Sequence, residues 1–291
     1  MKWLITGGSG QLGLAIQKEL ISQEIDFVAS NSKELDITTP LIVDQLVDFV
    51  KPAVIVNTAA WTDVDGAETN QSVAYSVNAL GPQNLAIAAR KFGARLVQVS
   101  TDYVFSGDNT SPWSENAAHN PQSVYGSTKS EGEKFVRAAL PKDSYVVRTA
   151  WLYSAEGKNF VKKMMNLALR STAEVNVVND QLGQPTFAGD LAKQIVDLVL
   201  SNAPVGIYHG TNSGQATWFE FAQEIFKLSG ADLSRVIPVP TSGYPKLAKR
   251  PSYSVLGHDA WSNTALTAMQ DWRIALAGSM PAIISAVKAE E

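Results

Sequence analysis

The opening thirteen residues restrict the fold more than any other stretch. Lys2-Trp3-Leu4-Ile5-Thr6 is a short apolar run that stops at Gly7-Gly8-Ser9-Gly10-Gln11-Leu12-Gly13. A helical pattern follows, with Leu12, Ala15, Ile16 and Leu20 recurring at three- and four-residue intervals. Strand, glycine turn and helix together make the context that a dinucleotide-binding loop requires. Small residues let the backbone turn tightly and approach a pyrophosphate, which then rests on the helix N-terminus. The glycines fit two registers, Gly8-x-Gly10-x-x-Gly13 and Gly7-x-x-Gly10-x-x-Gly13. A glycine-rich turn without a ligand is the plain alternative, but the position directly after the first strand favours nucleotide binding.

The alternation continues. Ile25–Ala29 reads as a second strand, Leu41–Val50 as a helix and Ala53–Asn57 as a third strand that ends in Thr58-Ala59-Ala60. Ser72–Phe92 reads as helical, with Gly81-Pro82 marking a kink or the true start. Arg95–Val99 is a fourth strand, Gln122–Ala139 a helix and Tyr145–Arg148 a fifth strand. Strands separated by helices predict an α/β fold of the Rossmann type: a doubly wound parallel sheet with ligands at the C-terminal strand ends. After Arg148 the loops lengthen and Pro and Gly become frequent, with helices readable at Phe160–Arg170, Gly189–Leu200, Trp218–Leu228 and Ala275–Ala289. The expected division is a nucleotide-binding unit over 1–150, rejoined by 188–210, and a smaller substrate-binding unit over 151–187 and 211–291.

Composition narrows the function classes. The net charge of -4, without a Lys/Arg cluster, argues against a nucleic-acid partner. Absence of cysteine excludes disulfides and thiolate metal sites, and three scattered histidines make a histidine-rich metal site a poor expectation. Asp63 and Asp65 form only a solvated loop pair, so no metal is assigned. Lys2–Thr6 is too short for a signal peptide or a membrane span, which leaves the cytoplasm as the default location.

Tyr125 and Lys129 lie four apart on a predicted helix and therefore share one face. A lysine held beside a phenol favours the phenolate, which is expected to lower the tyrosine pKa from about 10 and make Tyr125 a proton donor to a carbonyl oxygen. Thr101, just after the fourth strand, can hydrogen-bond the same carbonyl. Lys129 has a second use in holding ribose hydroxyls. Ser100, Thr101 and Asp102 have a plainer reading as turn residues. Trp151 reads equally as core packing or as substrate lining.

These residues carry a resemblance. Thr6-Gly7-Gly8-Ser9-Gly10-Gln11-Leu12-Gly13, Asn57-Thr58-Ala59-Ala60, Ser100-Thr101-Asp102 and Tyr125-x-x-x-Lys129 resemble the extended short-chain dehydrogenase/reductase family. Leu35-Asp36-Ile37-Thr38, Trp61-Thr62-x-Val64-Asp65-x-Ala67-Glu68, Arg148-Thr149-Ala150-Trp151, Val178-Asn179-Asp180-Gln181-x-Gly183-x-Pro185-Thr186 and Arg250-Pro251 are similar to its dTDP-4-dehydrorhamnose reductase branch. The resemblance runs from residue 1 to about 257. It implies reduction of a 4-keto group on a dTDP-linked 6-deoxyhexose, giving dTDP-L-rhamnose, with Thr101, Tyr125 and Lys129 as the catalytic set. It implies cofactor contacts from Gly7, Gly10, Gln11, Leu12, Gly13, Asn31, Asp36, Ile37, Thr58, Ala59, Ala60, Ser100, Tyr125 and Lys129. It implies substrate contacts from Thr101, Asp102, Tyr103, Trp151, Gln181 and Arg250, the last suited to a pyrophosphate.

Two departures qualify the resemblance. Leu14-Ala15-Ile16 stands where some members carry an acid that helps bind magnesium at a dimer interface, which argues against a metal-bridged dimer and for a monomer or weak homodimer. Leu256-Gly257 replaces the usual Leu-Asp, leaving that substrate-side contact without its acid. After the second strand, Ser30-Asn31-Ser32-Lys33 is neutral to basic and can accept a 2′-phosphate, so NADPH is expected to serve at least as well as NADH. Two other readings stay open: a reductase or epimerase of another nucleotide sugar, and a regulatory subunit that has kept the fold and lost catalysis.

Overall fold

Six apolar runs form one parallel sheet in the computed structural model, which describes residues 1–290. Trp3–Thr6 (β1), Phe27–Ser30 (β2), Val54–Asn57 (β3), Arg95–Thr101 (β4) and Ser144–Thr149 (β5) lie in the order β2-β1-β3-β4-β5, and Gly206–His209 adds in parallel beyond β5. β1, β3 and β5 are buried along their whole length, so their sequences show no polar alternation. On one face, Ile16 and Leu20 of the helix Gln11–Ser22 pack with Leu191, Ile195 and Val199 of the helix Ala188–Leu200. On the other, Val43 and Val47 of Pro40–Val50, Leu85 and Ala89 of Gly81–Phe92, and Val136 of Val124–Ala139 cover the sheet. The chain leaves β1 for β2 on one side and returns to β3 on the other. That reversal of strand order opens the crevice in which doubly wound sheets bind ligands.

Several boundaries move. β2 begins at Phe27 rather than Ile25, and β4 extends through Ser100 and Thr101. The helix expected over Ser72–Phe92 is three pieces: Gln71–Tyr75, a wide π turn at Ser76–Leu80 and Gly81–Phe92. Pro82 has no N–H to give the carbonyl of Asn78, so the ordinary helical ladder fails there and the wider turn absorbs the break. A short helix, Val64–Thr69, occupies what read as a loop, with the Asp63 side chain accepting from the Gly66 N–H as its cap.

Beyond β5, Phe160–Arg170, Trp218–Ser229 and Trp272–Ala289 enclose a separate apolar cluster around Met165, Phe221, Phe226 and Trp272. Fully burying a side chain such as Phe221 stabilises by about 1.5–3 kcal/mol. A capping box between Thr217 and Glu220 starts the second of these helices, and Gly230 in the left-handed region ends it. The last helix starts at Trp272, ahead of the expected Ala275, because Asp271 accepts from the Arg273 N–H as its cap. Among the described residues no helix is long and apolar enough to cross a membrane, and no group of three or more His, Asp or Glu is arranged to hold a metal ion.

Candidate active site

Four strand ends and the glycine loop surround a cavity of about 640 Å³. Gly7, Gly10, Gln11 and Leu12 line it after β1, Asp36 and Ile37 after β2, and Thr58, Ala59 and Ala60 after β3. Ser100 and Thr101 end β4, Asp102 and Tyr103 follow it, Tyr125 and Lys129 come from the helix Val124–Ala139, and Trp151 follows β5. Gly13 stands behind this lining. A Cβ there would come within 2.4 Å of the Gly7 carbonyl oxygen, and one on Gly7, at φ +68°, within 2.7 Å of the Ala59 nitrogen. The loop therefore needs both glycines to close over the helix N-terminus, whose first turn carries no acid. A backbone concavity at an unneutralised helix start is suited to a dinucleotide pyrophosphate.

Asn31 does not line this cavity. Its Oδ1 accepts from the Lys33 N–H and its own N–H donates to the Glu34 carboxylate at 2.9 Å, so it closes the turn after β2. Ser32 faces the cavity there instead. Asp36 caps its own turn: the Thr38 hydroxyl and N–H hold its carboxyl below the usual range. Gln11 accepts from Asn159 at 2.9 Å and so ties the segment following β5 to the glycine loop.

The reacting end is built at β4. Thr101 Oγ1 donates to Asp102 Oδ1 at 2.9 Å and accepts from the Tyr103 N–H at 3.2 Å. Ser123 caps the helix that carries Tyr125, accepting from the Gly126 N–H. Gly126 lies so close to the turn after β4 that a Cβ would fall 2.2 Å from the Tyr103 carbonyl oxygen. That approach sets the Tyr103 and Tyr125 rings edge to face at 5.5 Å.

The expected lowering of the Tyr125 pKa is not found. Burial pushes the phenol up to about 12; the neighbouring Thr101 hydroxyl opposes this and the Asp102 carboxylate adds to it. Lys129 Nζ donates to the Val99 carbonyl at 2.6 Å, and burial brings its ammonium down to about 8. Desolvation dominates, and Lys129, engaged with the Val99 carbonyl, does not supply the attraction that sequence spacing suggested. A phenol kept neutral still carries the proton that a carbonyl reduction consumes.

Gln181 and Arg250 line a second cavity of about 520 Å³, which shares Tyr103 with the first. Phe160, Trp218 and Tyr244 supply aromatic surface there, and Lys163 and Lys246 supply charge. Trp151 stacks on Trp218, and sequence reading gave no hint of that partner. Asp65, which read as solvated, bonds Arg250 at 2.8 Å and the Ala248 N–H at 3.0 Å. Burial raises the Asp65 carboxyl, but the Ala248 N–H and the Arg250 guanidinium prevail and hold it below its usual range.

Comparison with known proteins agrees with this geometry. The family described as RmlD substrate binding domain matches residues 1–283. The chain is 46% identical over 281 residues to a dTDP-4-keto-6-deoxy-D-glucose reductase of Streptomyces niveus, covering 96% of each chain. It is 45% identical to a dTDP-4-dehydrorhamnose reductase of Streptomyces griseus, over 97% of this chain and 94% of that one. A Bacillus anthracis dTDP-4-dehydrorhamnose reductase, solved in complex with NADP, superposes with a TM-score of 0.92 at 38% identity, covering 96% of this chain and 98% of that one. A Thermus thermophilus UDP-glucose 4-epimerase, 17% identical, shares the fold with a TM-score of 0.81 over the whole of both chains. The chain belongs to the RmlD substrate binding domain family.

Proposed function

We propose that the protein reduces the 4-keto group of dTDP-4-dehydro-L-rhamnose to dTDP-L-rhamnose with NADPH as reductant, Tyr125 supplying the proton. The observation that carries this reading is a pair of cavities with Tyr103 as their common wall. The first has a glycine-lined helix N-terminus at one end and Thr101 and Tyr125 on its wall, and the second, aromatic and basic, lies beyond Tyr103. Gly7, Gly10, Gln11, Leu12 and Gly13 would hold the pyrophosphate, with Ala59 and Ala60 leaving room beside them. NADPH bound there supplies the hydride that adds to the keto carbon. Tyr125 donates a hydrogen bond to the keto oxygen, the Thr101 hydroxyl joins it by turning its one proton from Asp102 to the substrate, and the Tyr125 proton completes the new hydroxyl. Lys129 holds ribose hydroxyls and steadies the charge left on the tyrosine. In the second cavity Arg250 suits the diphosphate and the aromatic side chains suit the base.

The Bacillus anthracis relative binds NADP, which supports NADPH here. Curated relatives carry names for two different keto sugars, so the sugar is the part to test. On this reading residues 1–150 with 188–210 form the cofactor-binding unit, 151–187 with 211–291 form the substrate-binding unit, and the protein works in the cytoplasm as a monomer or weak homodimer. The deciding experiment follows NADPH oxidation with dTDP-4-dehydro-L-rhamnose and, separately, with dTDP-4-keto-6-deoxy-D-glucose. Turnover of the first at higher kcat/KM is expected. Turnover of the second alone would reassign the sugar, and no oxidation with either would remove the reductase reading. Stoichiometric NAD retained through purification would favour an epimerase instead.

A further inference from the structure

Directly behind Ser100 and Lys129 lies a buried cluster of charge that the proposed chemistry does not use. Glu133 is one helical turn beyond Lys129, and Arg148 projects from β5; both are almost wholly buried. The Arg148 guanidinium grips both carboxylate oxygens of Glu133, through Nε at 3.0 and 3.2 Å and through a terminal nitrogen at 2.7 Å. Its remaining donors reach the Glu115 carbonyl at 3.0 Å, His209 Nε2 at 3.3 Å and His119 Nε2 at 2.7 Å. A guanidinium only donates, so both imidazoles must present a bare Nε2 and stay neutral. Their Nδ1 protons then go to the Gly257 carbonyl and to the Ser130 hydroxyl. Every donor of Arg148 is thus directed, and Glu133 is fixed in one orientation. Its Oε1 in turn accepts from the Ser100 hydroxyl at 2.5 Å, on the cavity wall.

We infer that Glu133, oriented by Arg148, is a positioning residue of the reaction: it fixes Ser100 on the cavity wall and sets a carboxylate one helical turn behind Lys129. This rests on the roles proposed above for Tyr125 and Lys129. A pair serving only to staple β5 to the helix would not need a carboxylate oxygen turned toward β4, nor a serine hydroxyl to meet it. Lys129 is fully desolvated, and the Glu133 carboxylate is the charge that opposes the loss of its proton. On this helix and the elements packed against it, the other titratable groups include Tyr125, Glu131, Lys134 and Arg137 on the helix itself, Asp102 and Tyr103 after β4, Arg148 on β5, and Glu115 and His119 in the connecting segment. Glu68 meets the start of the helix at the Val124 N–H. Asp65 and Tyr75 lie on the short helices packed there, and the adjoining helix Gly81–Phe92 brings only the exposed Arg90 and Lys91.

The test separates positioning from stapling. Glu133→Gln alone strands the Arg148 charge and is expected to lower Tm, which either role would do. Replacing the whole pair, Glu133→Gln with Arg148→Met, removes both buried charges and restores much of the stability. In that double variant the Lys129 amine, followed by NMR in the cofactor-free protein, is expected to titrate about one pH unit lower than in the wild type. The alkaline limb of kcat/KM should move with it, with about a fivefold loss at pH 8. A double variant with wild-type titration and pH profile, or one that does not fold, would make the pair a staple and overturn the inference. Lys129→Met, run in parallel, distinguishes the two levels. Normal turnover and cofactor affinity in that variant would refute the Lys129 role itself, whereas an impaired Lys129→Met beside an unaltered double variant would refute only the part given to Glu133.

Discussion

Trp151 and Trp218 lie face to face, ring centroids 3.6 Å apart and planes 12° from parallel. Trp151 reaches this stack from a backbone φ of +46°, the left-handed region that bulky side chains avoid. Such a conformation costs on the order of 1–3 kcal/mol and persists only where surrounding contacts over-determine it. Here Gly183 backs the indole so closely that a Cβ would sit 2.6 Å from the ring. The indole is thus braced against the apolar cluster around Phe221 while it also lines the first cavity, so core packing and site lining are both present at Trp151.

Removing the brace should be felt by the substrate more than by the cofactor. Trp218→Ala is expected to raise KM for the nucleotide sugar about tenfold, the scale of one lost aromatic stack with its buried area. The Kd for NADPH, measured by fluorescence titration, should stay within twofold. An unchanged KM would mean that the stack serves folding alone.

Tyr125→Phe is expected to lower kcat by about 100-fold or more while leaving cofactor affinity nearly unchanged, the usual scale for losing a positioned acid. Lys129→Ala should damage both quantities. Single-turnover rates together with cofactor titration check the split, and near-normal turnover by the phenylalanine variant would refute proton donation by Tyr125.

Cofactor choice turns on an acid that the sequence reading passed over. Glu34 folds back so that its carboxylate meets the Asn31 N–H at 2.9 Å, placing a negative charge in the turn after β2. Glu34→Gln should therefore favour NADPH over NADH several-fold in kcat/KM, by removing repulsion of a 2′-phosphate. In the wild type NADPH should serve at least as well as NADH, and a tenfold preference for NADH would contradict the assignment.

Asp102 gives a stability signature. Burial pushes its carboxyl up to about 6, although the Thr101 and Ser254 hydroxyls pull the other way. Its Oδ2 has no protein hydrogen-bond partner among the described residues. Between pH 4 and 6 the folded state then holds this proton more tightly than the unfolded chain, so the contribution to stability falls as pH rises and is lowest above pH 6. Asp102→Asn should raise stability at pH 7.5 by on the order of 3 kcal/mol and change it little at pH 4. Urea melts at the two pH values check this, and a variant that is equally or less stable at pH 7.5 would show that the carboxylate is well satisfied.

Much of the framework was legible because a parallel strand buried on both faces is a plain apolar run, as in Val54–Asn57 and Tyr145–Arg148. The cavity wall was legible because its residues sit at strand ends, where the topology brings them together. Trp218 and Arg250 show where reading stops. Each meets a partner more than sixty residues away, Trp151 and Asp65 respectively, and no local pattern marks such a pair. Glu133 was within reach, since it stands four residues after Lys129 on the same helix face. The Tyr125 pKa was misjudged for another reason: spacing reveals a neighbouring charge but not the loss of water around it.

The wide turn at Ser76–Leu80 sets the phase of everything around it. Before Gly81 the helix directs Asn78 toward Trp61 and Thr128, and after Gly81 it directs Leu85, Ala86 and Ala89 into the sheet. A helix advances about 100° per residue, so an uninterrupted α-helix of this sequence could satisfy only one of those two faces. The single residue absorbed by the turn acts as a gear between them. Deleting any one residue from Ser76–Leu80 would leave a smoother helix and a mistimed one, with either the Trp61 loop or the sheet facing the wrong side chains.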